Sequence, residues 1–202
     1  MKRLAMIGLF MTGMVGSTHA QIDVSKLITG NQGSPEAITS IHYGREGKLI
    51  WIFYHAPSVG SRHIFNGAGA LQPDGSVWRL GADDATVLHT DADLDIGGLA
   101  VPKGEYTLYV EVDKGNWKLI VNKQLTDARG RAQWGITRDG STTNNPTTEL
   151  GRTSLTMGKP ASPIETLKIA LTRTGPATED ATHGKLEIAW ENVTASVPFT
   201  VK

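Results

Sequence analysis

The chain has 202 residues, no cysteine, and equal numbers of basic and acidic side chains, 20 Lys or Arg and 20 Asp or Glu. The lack of cysteine excludes disulfides, thiolate-ligated zinc, cysteine nucleophiles and a lipidated N-terminal cysteine. The neutral charge balance argues against a nucleic-acid partner, because nucleic-acid binders carry a basic surplus.

The first 20 residues have the pattern of a secretory signal peptide. Lys2 and Arg3 precede an uncharged, largely apolar run from Leu4 to Val15. Thr18-His19-Ala20 approximates the small-x-small cleavage rule. The run is too short for a membrane span, and no later segment is long and apolar enough to be one. We therefore predict a signal peptide over 1–20, cleaved after Ala20, and a periplasmic or secreted mature protein with a net charge of −2.

The remaining residues divide into a flexible, polar lead-in over 21–36 and one domain over 37–202. Residues 48–56 are apolar on both faces of an alternating pattern, which predicts a strand buried on both sides. Residues 85–92 alternate less cleanly, and 94–101 predict a hairpin around Gly97-Gly98. A second hairpin is predicted from two alternating runs, 105–112 and 117–122, around the turn 113–116.

Alternation returns over 166–172, 186–190 and 193–201, so the domain has roughly nine or ten short strands separated by turn signals. Residues 123–145 are rich in Gly, Thr and Asn and predict a long loop, a feature that is often functional in compact domains. No stretch has the pattern of an amphipathic helix of three turns. The fold class is therefore all-β, a single antiparallel β-sandwich of the immunoglobulin-like or jelly-roll-like kind.

Asp91, Asp93 and Asp95 resemble the start of a calcium loop, because calcium needs several converging oxygens. The positions that an EF-hand loop reserves for Gly and Glu are here Ile96 and Pro102. On a strand, alternate Asp side chains simply share a solvent face, and this is the reading we favour. The histidines lack the short spacings of metal-binding pairs. We predict no metal site and no cofactor.

The segment 76–86 concentrates side chains suited to binding a polar ligand. Arg79 offers a planar donor fork for carboxylates or vicinal hydroxyls, and Trp78 offers an apolar plate for a sugar or an aromatic ring. Asp83 and Asp84 follow closely. The structural alternative is that an Arg–Asp bridge pins a loop onto the sandwich and that Trp78 lies in the core.

Four blocks of the chain resemble a known family, the secreted bacterial domain-of-unknown-function family 2911. Residues 54–65 are similar to its pattern Y-S-x-P-S-x-x-G-R-x-I-F, and residues 77–86 to V-W-R-x-G-A-N-E-A-T. Residues 98–108 with 117–123 resemble a third pattern, and Gln133-Trp134-Gly135 resembles a Q-W-G element. Ser61-Arg62 and Asp83-Asp84 depart from the family's Gly-Arg and Asn-Glu.

The resemblance implies an exported all-β domain and implies no reaction. The polar residues that match its blocks fall at strand ends and loops, where functional groups tend to lie. We expect the two Arg and two Asp residues to line one rim if the fold brings the blocks together. The candidate ligand-binding residues are Ser58, Arg62, Trp78, Arg79, Asp83, Asp84 and Thr86.

Three functions remain open at this point. We favour a binding module for a small polar molecule, such as a glycan, over an enzyme. An extracytoplasmic hydrolase would use Asp83 or Asp84 as a base with His55 or His63 nearby, and requires a His–carboxylate contact in a concave site. An interaction or structural protein of the envelope would instead expose an apolar patch of several hundred Å².

Overall fold

The computed structural model describes residues 33–175 and 182–202, which belong to one compact unit. The predicted signal peptide and the predicted lead-in as far as residue 32 lie outside the described residues. Thirteen strands are present in them: β1 Glu36–Tyr43, β2 Lys48–His55, β3 Val77–Trp78, β4 Ala82–Thr90, β5 Leu94–Ile96, β6 Leu99–Val101, β7 Gly104–Glu111, β8 Lys118–Asn122, β9 Glu149–Ser154, β10 Thr156–Gly158, β11 Ile164–Arg173, β12 His183–Glu191 and β13 Val193–Val201.

The strands form two antiparallel sheets. One has seven strands in the order β1-β2-β4-β7-β8-β9, with β3 paired to β7. The other has six in the order β11-β12-β13-β5-β6, with β10 paired to β13. A single 3₁₀ turn at Pro146–Thr148 is the only helical element in the described ranges. The predicted all-β sandwich is confirmed.

The core lies between the inner faces of the sheets, because both sheets turn alternate apolar side chains toward it. Ile52 and Leu108 from the seven-stranded sheet and Ile188 and Val197 from the six-stranded sheet are all at most 2% exposed. An aromatic cluster closes one part of the core and consists of Phe65, Trp78, Trp117 and Trp190. The rings of Trp78 and Trp190, from different sheets, stack with centroids 5.6 Å apart.

Both predicted hairpins are confirmed, β5–β6 by pairing of Ile96 with Leu99 and β7–β8 by pairing of Glu111 with Lys118. Gly97 has a φ of 55°, and a Cβ there would lie 2.5 Å from the Thr153 hydroxyl, so this turn requires glycine. The expectation that β2 is buried on both sides is wrong. Its outward-facing residues, Trp51 among them, are only partly buried.

The predicted long loop over 123–145 contains no named strand and lies on the outer face of the seven-stranded sheet. The backbone N–H of Ala85 in β4 donates to the carbonyl of Gln133 at 2.7 Å. Under the loop, Ala85, Tyr109 and Ile120 form a second, smaller apolar cluster. This covering explains why β7 is buried on both faces although its sequence alternates.

Within the described residues, no helix is long and apolar enough to cross a bilayer.

Candidate functional site

Two of the predicted site residues stabilise the loop in which they lie. The Ser58 hydroxyl lies 3.1 Å from the Thr166 hydroxyl of β11. The Arg62 guanidinium donates to the carbonyls of Ser58 and Val59 in its own loop. Neither makes a hydrogen bond or ion pair with segment 77–86 in the described part of the chain. The expected rim of two Arg and two Asp is therefore not joined through Arg62.

The two matching blocks do meet, but through other residues. The His55 Nδ1 atom lies 3.6 Å from Asp83 Oδ2. The ring of Phe65 contacts the ring of Trp78 with centroids 5.6 Å apart. One contact is polar and partly exposed, and the other belongs to the core.

Two of the predicted ligand-binding residues, Trp78 and Thr86, are buried. Trp78 is 2% exposed because β3 points it into the aromatic cluster, and its Nε1–H donates to the Gly81 carbonyl at 3.1 Å. Thr86 is fully buried, and its hydroxyl donates to the Leu80 carbonyl at 2.9 Å. Both residues fix the shape of the loop between β3 and β4.

Two non-glycine residues here are in the left-handed region, Leu80 in that loop at φ 57° and Asp83 at the start of β4 at φ 53°. Such conformations cost free energy and persist only where surrounding contacts impose them. Asp83 Oδ2 accepts the Ser34 N–H at 3.1 Å. Gly81 packs so closely on the His55 backbone that a Cβ would lie 3.0 Å from its carbonyl. These contacts hold the loop in place, together with Arg79 at its start.

Arg79 joins this loop to the loop over 123–145, which we call the covering loop. Its Nη1 donates to the Trp134 carbonyl at 2.7 Å, and its guanidinium carbon lies 5.2 Å from the centroid of the Trp134 ring. Burial lowers the pKa of Arg79, while the charges of Asp83 and Asp84 oppose that shift. Arg79 remains cationic at neutral pH, since arginine does not deprotonate in proteins.

Trp134 is a candidate site residue that the sequence reasoning did not include among the ligand-binding residues. Its side chain is 51% exposed, although indole rings usually bury most of their surface. The sequence did contain a signal for this residue, because Gln133-Trp134-Gly135 resembles the Q-W-G element of the family. The neighbouring Gln133 is buried and donates to the Thr143 carbonyl at 3.3 Å, which joins two parts of the loop.

Asp84 is the free acceptor of the site. Its carboxylate makes no hydrogen bond or ion pair with the residues that the structure describes. Arg79 contacts the exposed Trp134 ring and interacts with the charges of Asp83 and Asp84, so these four residues supply an apolar plate, a cation and two carboxylates. We refer to these four residues as the Trp134 site.

Of the two histidines of the hydrolase alternative, His55 lies beside Asp83, whereas His63 is engaged in other contacts. His63 Nδ1 lies 3.0 Å from Glu191 Oε1, and its Nε2 lies 2.5 Å from the Asn66 carbonyl. Both ring nitrogens therefore face acceptors, and these bonds raise the pKa of His63, the Asn66 carbonyl contributing most. His55 directs Nδ1 to the Ser34 carbonyl at 3.3 Å, nearer than Asp83.

The three alternating aspartates accept hydrogen bonds from the backbone N–H groups of neighbouring segments. Asp91, Asp93 and Asp95 accept from Leu49, Lys103 and Gly98, at 3.0, 2.8 and 2.8 Å. Across residues 33–175 and 182–202, no group of three or more His, Asp or Glu side chains is arranged to hold a metal ion.

Comparison with known proteins gives one informative result. A search of curated proteins and a search of solved structures found no significant match. A family model described as a protein of unknown function, DUF2911, matches residues 34–199, which span both sheets and every residue of the Trp134 site. The chain therefore belongs to the DUF2911 family.

Proposed function

We propose that the chain is an exported binding module that holds a small polar ligand of the glycan class at the Trp134 site. The observation that carries the proposal is the half-exposed Trp134 ring, which the Arg79 guanidinium contacts on one side. An immobile aromatic plate flanked by hydrogen-bonding groups suits a sugar, whose C–H face packs on the ring while its hydroxyls bond to charged side chains.

The composition of the site supports this class of ligand over a purely ionic one. Arg79 supplies donors, whereas Asp83 and Asp84 supply acceptors, so the site matches the mixed donor and acceptor groups of vicinal hydroxyls. The rigid loops reduce the conformational entropy lost on binding. We place the protein in the periplasm or outside the cell, on the basis of its N-terminal sequence pattern.

The interaction-protein alternative has less support from the surface. Large exposed apolar side chains in the described residues are Ile38, Leu71 and Trp134, which lie on three separate segments. Single exposed apolar residues are normal on a monomer and need no docking partner to explain them.

The test is calorimetric titration of the full chain with neutral and acidic oligosaccharides, together with its Trp134→Ala variant. Losing a central aromatic contact costs about 2 kcal/mol or more, so the dissociation constant should rise roughly 30-fold. Leu71→Ala is the matched control, because it also removes an exposed apolar side chain but lies outside the site. Affinity should be unchanged in that control.

Two outcomes would contradict the proposal. One is the absence of saturable binding to every oligosaccharide of the panel. The other is binding that survives Trp134→Ala unchanged, which would place the ligand elsewhere on the molecule.

A further inference from the structure

A groove of about 330 Å³ opens between the loop after β2, the turn after β7, strand β10 and the turn between β12 and β13. It shares no residue with the Trp134 site. The side chains that decide its chemistry are His63, Asn66, Met157, Lys159, Glu191 and Asn192. A volume of this size falls at the lower end of the range of small-molecule sites.

Two residues that line this groove have a backbone conformation in the left-handed region. Asn66 has a φ of 61° and Glu191 a φ of 52°, and the turn that contains Glu191 is only two residues long, because Trp190 pairs with Val193. Glycine would adopt the Glu191 conformation without cost, so local preference does not explain a glutamate there. Strained residues of this kind concentrate at functional sites.

Hydrogen bonds to the Glu191 carboxylate stabilise the strained backbone conformation of this residue. Oε1 accepts from the Ile64 N–H at 3.2 Å and contacts His63 Nδ1 at 3.0 Å, while Oε2 accepts from the Phe65 N–H at 3.3 Å. These bonds fasten the turn between β12 and β13 to the loop after β2. The groove is therefore formed before any ligand arrives, which lowers the entropic cost of binding.

Among the charged residues that line the groove, Lys159 is the one without a charged partner in the part of the chain that the structure describes. The Glu191 carboxylate forms the bonds just described. When His63 is protonated, its positive charge offsets the negative charge of Glu191. Lys159 is exposed and makes no ion pair with the described residues. The side-chain amides of Asn66 and Asn192 likewise make no hydrogen bond there, so they are available as donors. Beside these groups, Met157 and Val193 provide apolar surface.

We propose that this groove is a second binding site, which takes a small organic carboxylate with a compact apolar group. The carboxylate would bond to Lys159 and to the amides of Asn66 and Asn192, and the apolar group would rest on Met157 and Val193. A charge-assisted hydrogen bond to Lys159 gives the site its preference for an anion over a neutral molecule of the same shape.

The experiment titrates the full chain with 3-phenylpropionate and with its uncharged amide, followed by chemical-shift changes of the protein amides. The acid should bind saturably and at least about ten-fold more tightly than the amide. Lys159→Gln should remove that preference. Asn192→Asp should also weaken binding of the acid, because it adds a negative charge to the groove. The fold should tolerate this change, since Asp is common at turn positions.

Lys168→Gln is the matched control, because Lys168 is exposed on β11 and does not line the groove. Trp134→Ala is a second control, which should leave binding of the acid unchanged even if the Trp134 site fails to bind glycans. No saturable binding of the acid, equal binding of acid and amide, or full binding by Lys159→Gln would each overturn the proposal.

Discussion

Trp78 and Trp134 show how position decides the role of an indole ring. They are 2% and 51% exposed, although both stand beside polar residues in the sequence. We predicted Trp78 as the aromatic ligand contact because Trp78 directly precedes Arg79 in the sequence. A two-residue strand such as β3 offers no alternation from which to read the buried face. The partner of Arg79 lies 55 residues away in the chain, a separation that no local pattern reveals.

His63 gives a pH dependence that can be measured. Its folded-state pKa is raised, first by the Asn66 carbonyl and then by Glu191. The stabilisation from these bonds is complete below the unfolded pKa of about 6.5 and is lost as the pH rises through the folded pKa.

We therefore expect wild type to exceed His63→Gln in unfolding midpoint at mildly acidic pH, and the difference to shrink as the pH rises. Thermal scans of both proteins across this range measure the effect. A difference that stays constant with pH would show that protonation of His63 contributes nothing.

At the scale of the element, the covering loop over 123–145 depends on a close approach at Gly135. This residue has a φ of 83°, and a Cβ there would lie 2.5 Å from the Cβ of Arg79. Gly130 in the same loop has a φ of 74° with nothing within 4 Å of its added Cβ. The two glycines share the conformational requirement and differ in the available space.

Gly130→Ala should therefore cost about 1 kcal/mol from the left-handed backbone alone. Gly135→Ala should cost about 1–3 kcal/mol more, because the added methyl group overpacks against Arg79. Urea unfolding measures both. Trypsin should also cut the loop faster in Gly135→Ala, at Arg129, Arg131 or Arg138. Equal effects from the two variants would show that the loop yields freely at Arg79.

The elements that the sequence predicted correctly are those with strong alternation. Strands β2, β7, β8, β12 and β13 lie close to their predicted positions because one face of each must be apolar. Strands β3, β9 and β10 had no such signal, since they are short or carry polar residues on both faces. The burial of Tyr109 was equally unreadable, because it depends on a loop that follows β8 and folds back over the sheet.

At the scale of the whole molecule, the aromatic cluster fastens one sheet to the other. Phe65 contacts Trp78, Trp117 and Trp190 at centroid distances of 5.6, 4.7 and 5.7 Å. Removing one large ring from such a core leaves a cavity that the rigid sheets cannot close.

Trp78→Ala should lower the free energy of unfolding by about 3–5 kcal/mol. Trp134→Ala should lower it by about 1 kcal/mol or less, because it loses only an exposed contact with Arg79. Urea denaturation followed by far-ultraviolet circular dichroism compares the two. Similar losses would contradict the assignment of one ring to the core and the other to the surface.

The stacking of Trp78 on Trp190 also gives the folded state an optical signature. The rings are tilted by 24° and come from opposite sheets, so their electronic transitions couple only when the sheets are docked. An exciton couplet in the ultraviolet circular dichroism spectrum should therefore report docking separately from strand formation. An intermediate whose two sheets have formed but not yet come together would show the backbone signal of β-structure without this couplet.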